Sequence, residues 1–160
     1  PKEIEIIQLP GHFFDMVSFR TPDNTVFLAD CVSSPATLEK YGVTFIYDVA
    51  QYLASLDMIE SLGASMFVPS HADPTTDIRP LAAANRAKIY EIERVISEIC
   101  ATPQTIDSII QSVFKAYNLI MTVEQYVLVG STIRSYLSWM KDNDKLEIVI
   151  DAHSLRWQTK

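Results

Sequence analysis

The sequence predicts an α/β fold followed by a helical, winged-helix-like C-terminal part. Short strand-like apolar runs crowd the first half, at residues 3–8, 13–20, 25–32 and 65–71. Amphipathic helical spacing governs residues 47–62 and most of 78–140. Two further strand-like runs, at 145–150 and 154–158, then close the chain as a hairpin around "DAH". The resulting division is strands with one helix over 1–76, a connecting helix over 77–101, and two helices plus a hairpin over 102–160.

Each element has a local cause. "EIEIIQ" alternates as a strand does, and Pro10-Gly11 halts it. The next two strands flank "TPDN", a turn tetrapeptide between apolar runs, and Asp30 falls near the end of the second. "SSPATLEKYG" reads as loop with a helical turn. Val49, Tyr52, Leu53, Leu56, Ile59 and Leu62 form one helical face, with Gly63 placed to cap its end. "SMFVPSH" is a short strand, and "ADPTTD" is a polar loop. The connecting helix, from about Ile78 to Cys100, carries Leu81, Ile89, Ile92, Val95, Ile96 and Ile99 on one stripe. Thr102 and Pro103 suit the N-cap and first position of the next helix, and Thr122 to Gln125 is a capping box opening a helix to about Met140.

Composition excludes several classes of function. With 48% hydrophobic and 21% charged residues, the 160-residue chain can bury a core. A net charge of −7 disfavours a nucleic-acid partner. Residues 1–101 hold 7 basic against 14 acidic residues, whereas 102–160 hold 6 of each. A recognition helix would need several basic and amide groups, yet the helix after Thr122 offers only Arg134 and Lys141. Its expected role is packing or dimerisation. No apolar run reaches the roughly 18 residues of a bilayer span, so no membrane partner is expected. The two cysteines, Cys31 and Cys100, lack metal or disulfide spacing and read as buried apolar residues in a reducing cytoplasm.

The chemistry-bearing residues are two histidines in matching contexts, "LPGH" and "VPSH". His12 and His71 each follow a strand, a proline and a small residue. A side chain just past a strand end has a fixed backbone and projects from the sheet edge, where several can converge. Asp30 on a neighbouring strand adds an oxygen donor, and two imidazoles with a carboxylate suit zinc, iron or manganese. Taken alone, Pro-Gly-His is also an ordinary turn, and a strand Asp an ordinary cap or ion-pair partner. His153 sits in the terminal hairpin turn and is assigned no role.

"LPGH" followed by a strand, "VFLAD", "YLASLDMIESLGASMFVPSH" and the long helix after it resemble, in that order, the C-terminal half of a metallo-β-lactamase-fold hydrolase. The likeness covers residues 3 to about 100. It implies part of an αββα sandwich with a metal site at the sheet edge. It further implies His12 as ligand of a first metal, Asp30 as the bridging carboxylate and His71 as ligand of a second. Met16 stands where the family often has a second histidine, Ala29-Asp30 where it has Gly-Asp, and Pro69-Ser70-His71 where it has Pro-Gly-His. The family's His-x-His-x-Asp-His motif is absent from these residues, and the first residue is Pro1. The expectation is therefore the C-terminal part of a longer binuclear hydrolase, acting on an ester, thioester, lactone, amide or phosphodiester of a small-molecule substrate. As this fragment its site is incomplete, holding zinc weakly, with no catalytic residue beyond the metal ligands. Its expected partner is the missing N-terminal half or a homo-oligomer. The alternative is a non-catalytic interaction protein with a vestigial metal site.

Overall fold

The computed structural model describes residues 3–160, as a mixed α/β chain in two compact units. The first unit comprises the residues up to Tyr41 together with Ile46–Lys88; the second comprises Gly42–Phe45 with Ile89–Lys160. Helix α3 (Arg79–Ile99) is shared between them. No helix among the described residues is long and apolar enough to cross a membrane.

In the first unit, β1 (Glu5–Gln8), β2 (Val17–Arg20), β3 (Thr25–Ser33) and β4 (Met66–His71) form one sheet in that order. The first two pairings are antiparallel and β3–β4 is parallel, so β1, β3 and β4 point the same way. A parallel pair needs a crossover, supplied here by α1 (Pro35–Tyr41) and α2 (Val49–Ser61). Ile7, Ser18, Val26, Leu28 and Phe67 are buried on one face of the sheet, while Ile6, Phe19 and Phe27, each next in strand to one of these, are exposed on the other.

Several boundaries differ from the sequence expectation. Residues 11–15 are a turn, and β2 begins only at Val17, because Leu9 N–H bonds Met16 C=O and closes that turn early. The segment read as loop with one turn is the seven-residue helix α1, whose Leu38 is buried. Gly63 is not a left-handed cap: α2 ends at Leu62 in extended conformation, its N–H bonding Ile59 C=O. Asp48, unremarked in the sequence, caps the other end by accepting from Gln51 N–H at 3.0 Å.

The glycine that matters is Gly11. Its φ is +129°, and a Cβ there would lie 2.3 Å from both N and Cα of Tyr52 in α2. Its carbonyl accepts from Tyr47 and Asp48 N–H at 2.9 and 3.0 Å. Ser55 Oγ donates to Pro10 C=O at 2.6 Å. The turn is thus seated directly on the start of α2.

The second unit contains α4 (Ile106–Ala116), α5 (Val123–Asp142) and the hairpin β5 (Leu146–Asp151)/β6 (Ser154–Thr159), together with the C-terminal part of α3. Ile109, Ile110, Val113, Phe114, Ile133, Tyr136, Leu137 and Met140 form its core. Helix α4 starts at Ile106 with Thr105 as cap, not at Pro103 with Thr102. Gln104 exchanges both backbone hydrogen bonds with Trp157, at 3.0 and 2.8 Å, which holds residues 103–105 out of the helix. Thr122 caps α5 as expected, accepting from Gln125 N–H. The hairpin turns at Ala152–His153, both in the left-handed region, and His153 is exposed. Lys145 Nζ lies 2.7 Å from Glu93 Oε1 and 4.8 Å from the Trp139 ring centre, so its charge is doubly compensated.

Gly11→Ala should lower the free energy of unfolding by about 3 kcal/mol or more, since the clash is with backbone that cannot yield. Urea denaturation checks this, and a loss under about 1 kcal/mol would mean the turn moves freely off α2. In the second unit, burial pushes the Cys100 thiol up to about 11. A thiol in the unfolded chain ionises near its ordinary pKa of about 8.5, so the folded state keeps a proton that the unfolded state loses above it. Stability should be full below about pH 8.5 and fall as pH rises toward 11, and Cys100→Ala should flatten that slope. Urea midpoints measured across this range give the answer.

Candidate metal centre

The three donor positions come together at one sheet edge. Because β1, β3 and β4 run in the same direction, their C-terminal ends lie along that edge. His12 follows β1 through the Pro10-Gly11 turn, Asp30 lies in the last part of β3, and His71 ends β4. His12 Nε2 stands 3.6 Å from Asp30 Oδ2, and His71 Nε2 stands 3.4 Å from Asp30 Oδ1. One carboxylate therefore faces two imidazoles with separate oxygens.

The backbone at Asp30 explains how one side chain meets both. Pairing of β3 with β4 shifts register between Phe27 and Ala29 and again between Ala29 and Ser33. From Ala29↔Pro69 to Ser33↔His71, β3 spends four residues against two in β4. Ala29 sits in the left-handed region with φ +50°, an uncommon conformation for a residue with a Cβ. The bulge re-aims the following carboxylate, the usual consequence of extra residues in one strand.

Pairing resumes at Ser33 because a buried amide holds it there. Asn85 of α3 is 2% exposed. Its Oδ1 accepts from Ser33 N–H (3.1 Å) and Tyr52 Oη (3.1 Å), and its Nδ2 donates to Ser33 C=O (2.8 Å) and Leu81 C=O (2.8 Å). This satisfies a strand segment that the bulge would otherwise leave unpaired inside the protein. Ser34 N–H then donates to His71 C=O at 2.9 Å, fixing the second histidine's backbone. Sequence reasoning missed Asn85, although the signal was present: it lies four residues from both Leu81 and Ile89 on the apolar stripe of α3.

The trio suits a cation chemically but does not enclose one. Two ligands about 2.0–2.1 Å from a tetrahedral ion stand about 3.3 Å apart, close to both imidazole–carboxylate separations. Both separations exceed an ordinary N–H···O hydrogen bond. Yet among the described residues no group of three or more His, Cys, Asp or Glu side chains could by itself hold a metal ion. The trio consists of two donor pairs sharing one carboxylate. Side-chain exposure is 27% at His12, 39% at Asp30 and 51% at His71, so the edge is open to solvent and further ligands.

Sequence reasoning also passed over three aromatic rings beside His12. Phe13, Phe14 and Tyr47 are exposed and in mutual contact, with ring centres 4.5 to 6.1 Å apart. Tyr47 is tied to this turn through its N–H bond to Gly11 C=O. Aromatic residues adjacent to a candidate ligand were the available signal.

No protein-family model matches the sequence, and no curated protein matches it. Solved structures match it in fold. A metallo-β-lactamase family protein from Thermus thermophilus superposes with a TM-score of 0.76 at 15% identity, covering 99% of this chain and 50% of that one. A β-lactamase domain protein from Burkholderia ambifaria gives a TM-score of 0.76 at 17% identity, covering 99% and 48%. The chain shares the fold of the part of these two structures that it superposes on, and spans about half the length of each.

Ala29→Gly tests whether the bulge is strained. Removing a Cβ from the left-handed region relieves about 1–2 kcal/mol, and the more flexible unfolded chain returns about 0.5–1 of it. A net gain of roughly 0.5–1 kcal/mol is expected by urea unfolding. A loss of stability would show that the alanine side chain contributes more by packing than it costs in conformation.

Proposed function

We propose that this chain is the C-terminal portion of a metal-dependent hydrolase with two metal positions. His12 contributes to the first, His71 to the second, and Asp30 bridges them. What supports this reading above all is the placement of both imidazoles on separate oxygens of one carboxylate, at ligand-to-ligand spacing. The fold shared with metallo-β-lactamase proteins supports the class of chemistry, hydrolysis of a small-molecule ester, thioester, lactone, amide or phosphodiester. Divalent ions, when bound, polarise such a bond and make hydroxide available near neutral pH.

The chain's own contribution is positional. The Gly11 seat on α2 fixes His12, and the Ala29 bulge turns Asp30 between the histidines. Asn85 and Ser34 set the register that delivers His71. Each position receives one imidazole and one carboxylate oxygen, against the three protein ligands usual in a catalytic zinc site. The remaining ligands are expected from the other half of a longer protein, in the cytoplasm. The same shortfall favours the second reading, an interaction protein whose metal site is vestigial.

Zinc titrated into the chain by calorimetry, with the histidine ring signals followed by NMR, tests the assignment. Binding weaker than about 10 µM is expected for two ligands per ion, with both His12 and His71 signals shifting and the effect abolished in Asp30→Ala. No turnover of ester or phosphodiester substrates is expected from the chain alone. Affinity unchanged in Asp30→Ala would remove the bridging role. Stoichiometric tight binding with turnover would show that the site is complete as it stands.

A further inference from the structure

Three exposed aromatic residues stand beside His12 on backbone that is held firmly. Phe13 C=O accepts from Gly11 N–H at 3.1 Å, and Leu9 N–H donates to Met16 C=O at 2.9 Å, which closes the turn on itself. Tyr47 N–H donates to Gly11 C=O at 2.9 Å and to His12 C=O at 3.2 Å. Phe13, Phe14 and Tyr47 are thus carried by two hydrogen-bonded segments that meet at the candidate ligand. Their ring centres lie 4.5, 6.1 and 5.9 Å apart, yet each residue stays about half exposed, at 48%, 54% and 51%.

This cluster is separate from the open face of the sheet. Ile6, Phe19, Phe27 and Val68 lie opposite one another in an uncharged row across that face, where the second layer of a sandwich would pack. The aromatic cluster lies instead beyond the C-terminal end of β1, at the edge where His12, Asp30 and His71 meet. The two segments that carry it also lack positive charge. Neither residues 9–17 nor residues 44–52 contain a lysine or arginine, while Asp15 and Asp48 add two carboxylates. An anionic substituent finds no cationic partner on them. A flat apolar group finds ring faces and edges to pack against.

We propose that Phe13, Phe14 and Tyr47 form the subsite for an uncharged apolar or aromatic group of the substrate, held beside the metal positions. The inference rests on the hydrolase reading and narrows its substrate class to aryl- or alkyl-bearing esters, thioesters, lactones or amides. Hydrolysis of an arylacetyl ester leaves an arylacetate and an alcohol. The carboxylate of that product suits a divalent ion and its ring suits the cluster, so phenylacetate serves as the probe.

Phenylacetate and acetate titrated separately into the zinc-saturated chain, with the ring signals of Phe13, Phe14, Tyr47, His12 and His71 followed by NMR, test it. Zinc uptake is measured on the same samples. Phenylacetate should shift the aromatic and histidine signals together and bind about tenfold more tightly than acetate, the gain expected of one or two ring contacts. Phe14→Ala with Tyr47→Ala should bring phenylacetate to the affinity of acetate, with zinc uptake and the far-ultraviolet circular dichroism spectrum unchanged. Phe14→Leu, which keeps bulk without a ring, provides a milder second variant and should reduce the preference roughly two- to threefold. Equal affinities in the wild-type chain would overturn the proposal while leaving the metal assignment intact. So would a preference that survives the double variant. A chain that takes up no zinc would overturn the hydrolase reading and this inference with it.

Discussion

The first unit depends on one close approach, the backbone of Gly11 against the backbone of Tyr52. At 2.3 Å from a would-be Cβ, the contact leaves room only for hydrogen. Its consequence is that the turn after β1 and the first turn of α2 become one piece. The Gly11 carbonyl accepts from Tyr47 and Asp48, and Asp48 in turn caps the helix through Gln51. The peptide that carries His12 is therefore positioned by the start of helix α2, not by the flexibility of a loop. A histidine on a free turn would lose backbone as well as side-chain entropy on meeting an ion; one on an anchored backbone has already lost the backbone part.

The same helix reaches Asp30 by another route. Tyr52, whose backbone abuts Gly11, donates its hydroxyl to Asn85, and Asn85 holds both backbone groups of Ser33. Burying a tyrosine hydroxyl and an amide together costs little only if every donor and acceptor is used, and here the amide meets four partners. That network stands three residues beyond Asp30 and determines where the bulge ends. His12 and Asp30, 18 residues apart in the chain, are thus referenced to one residue of α2, Tyr52, through its backbone and its hydroxyl respectively. Their separation of 3.6 Å follows from two short rigid paths meeting at Tyr52.

Much of this was legible in the sequence because it depends on local signals. Alternation located the strands, the 3–4 spacing located α2 and α3, and the repeated strand–proline–small–histidine pattern located two of the three side chains that meet at the sheet edge. What could not be read is what depends on partners distant in sequence. The start of α4 moved from Pro103 to Ile106 because Gln104 pairs with Trp157, 53 residues away. Gly63 had the right identity for a cap, yet the chain leaves α2 extended to enter β4, so its freedom goes unused. The bulge at Ala29 was hidden for another reason. Alanine gives no hint of a positive φ, whereas glycine would have announced one.

Strand direction separates two properties that could have competed. The donors gather at the C-terminal ends of β1, β3 and β4, so the candidate metal centre is a property of the sheet's edge. The uncharged row of Ile6, Phe19, Phe27 and Val68 lies across the strands, so it is a property of the sheet's face. A sheet packed on that face would approach perpendicular to the strand plane, leaving the strand ends uncovered. It would also desolvate the flank of the edge, and electrostatic interactions strengthen when water is excluded beside them. An arrangement with the histidines on the outer face itself would have forced a choice between packing and access. Here covering the face and keeping the edge open are compatible, so a layer added to this sheet would leave His12, Asp30 and His71 at an open edge.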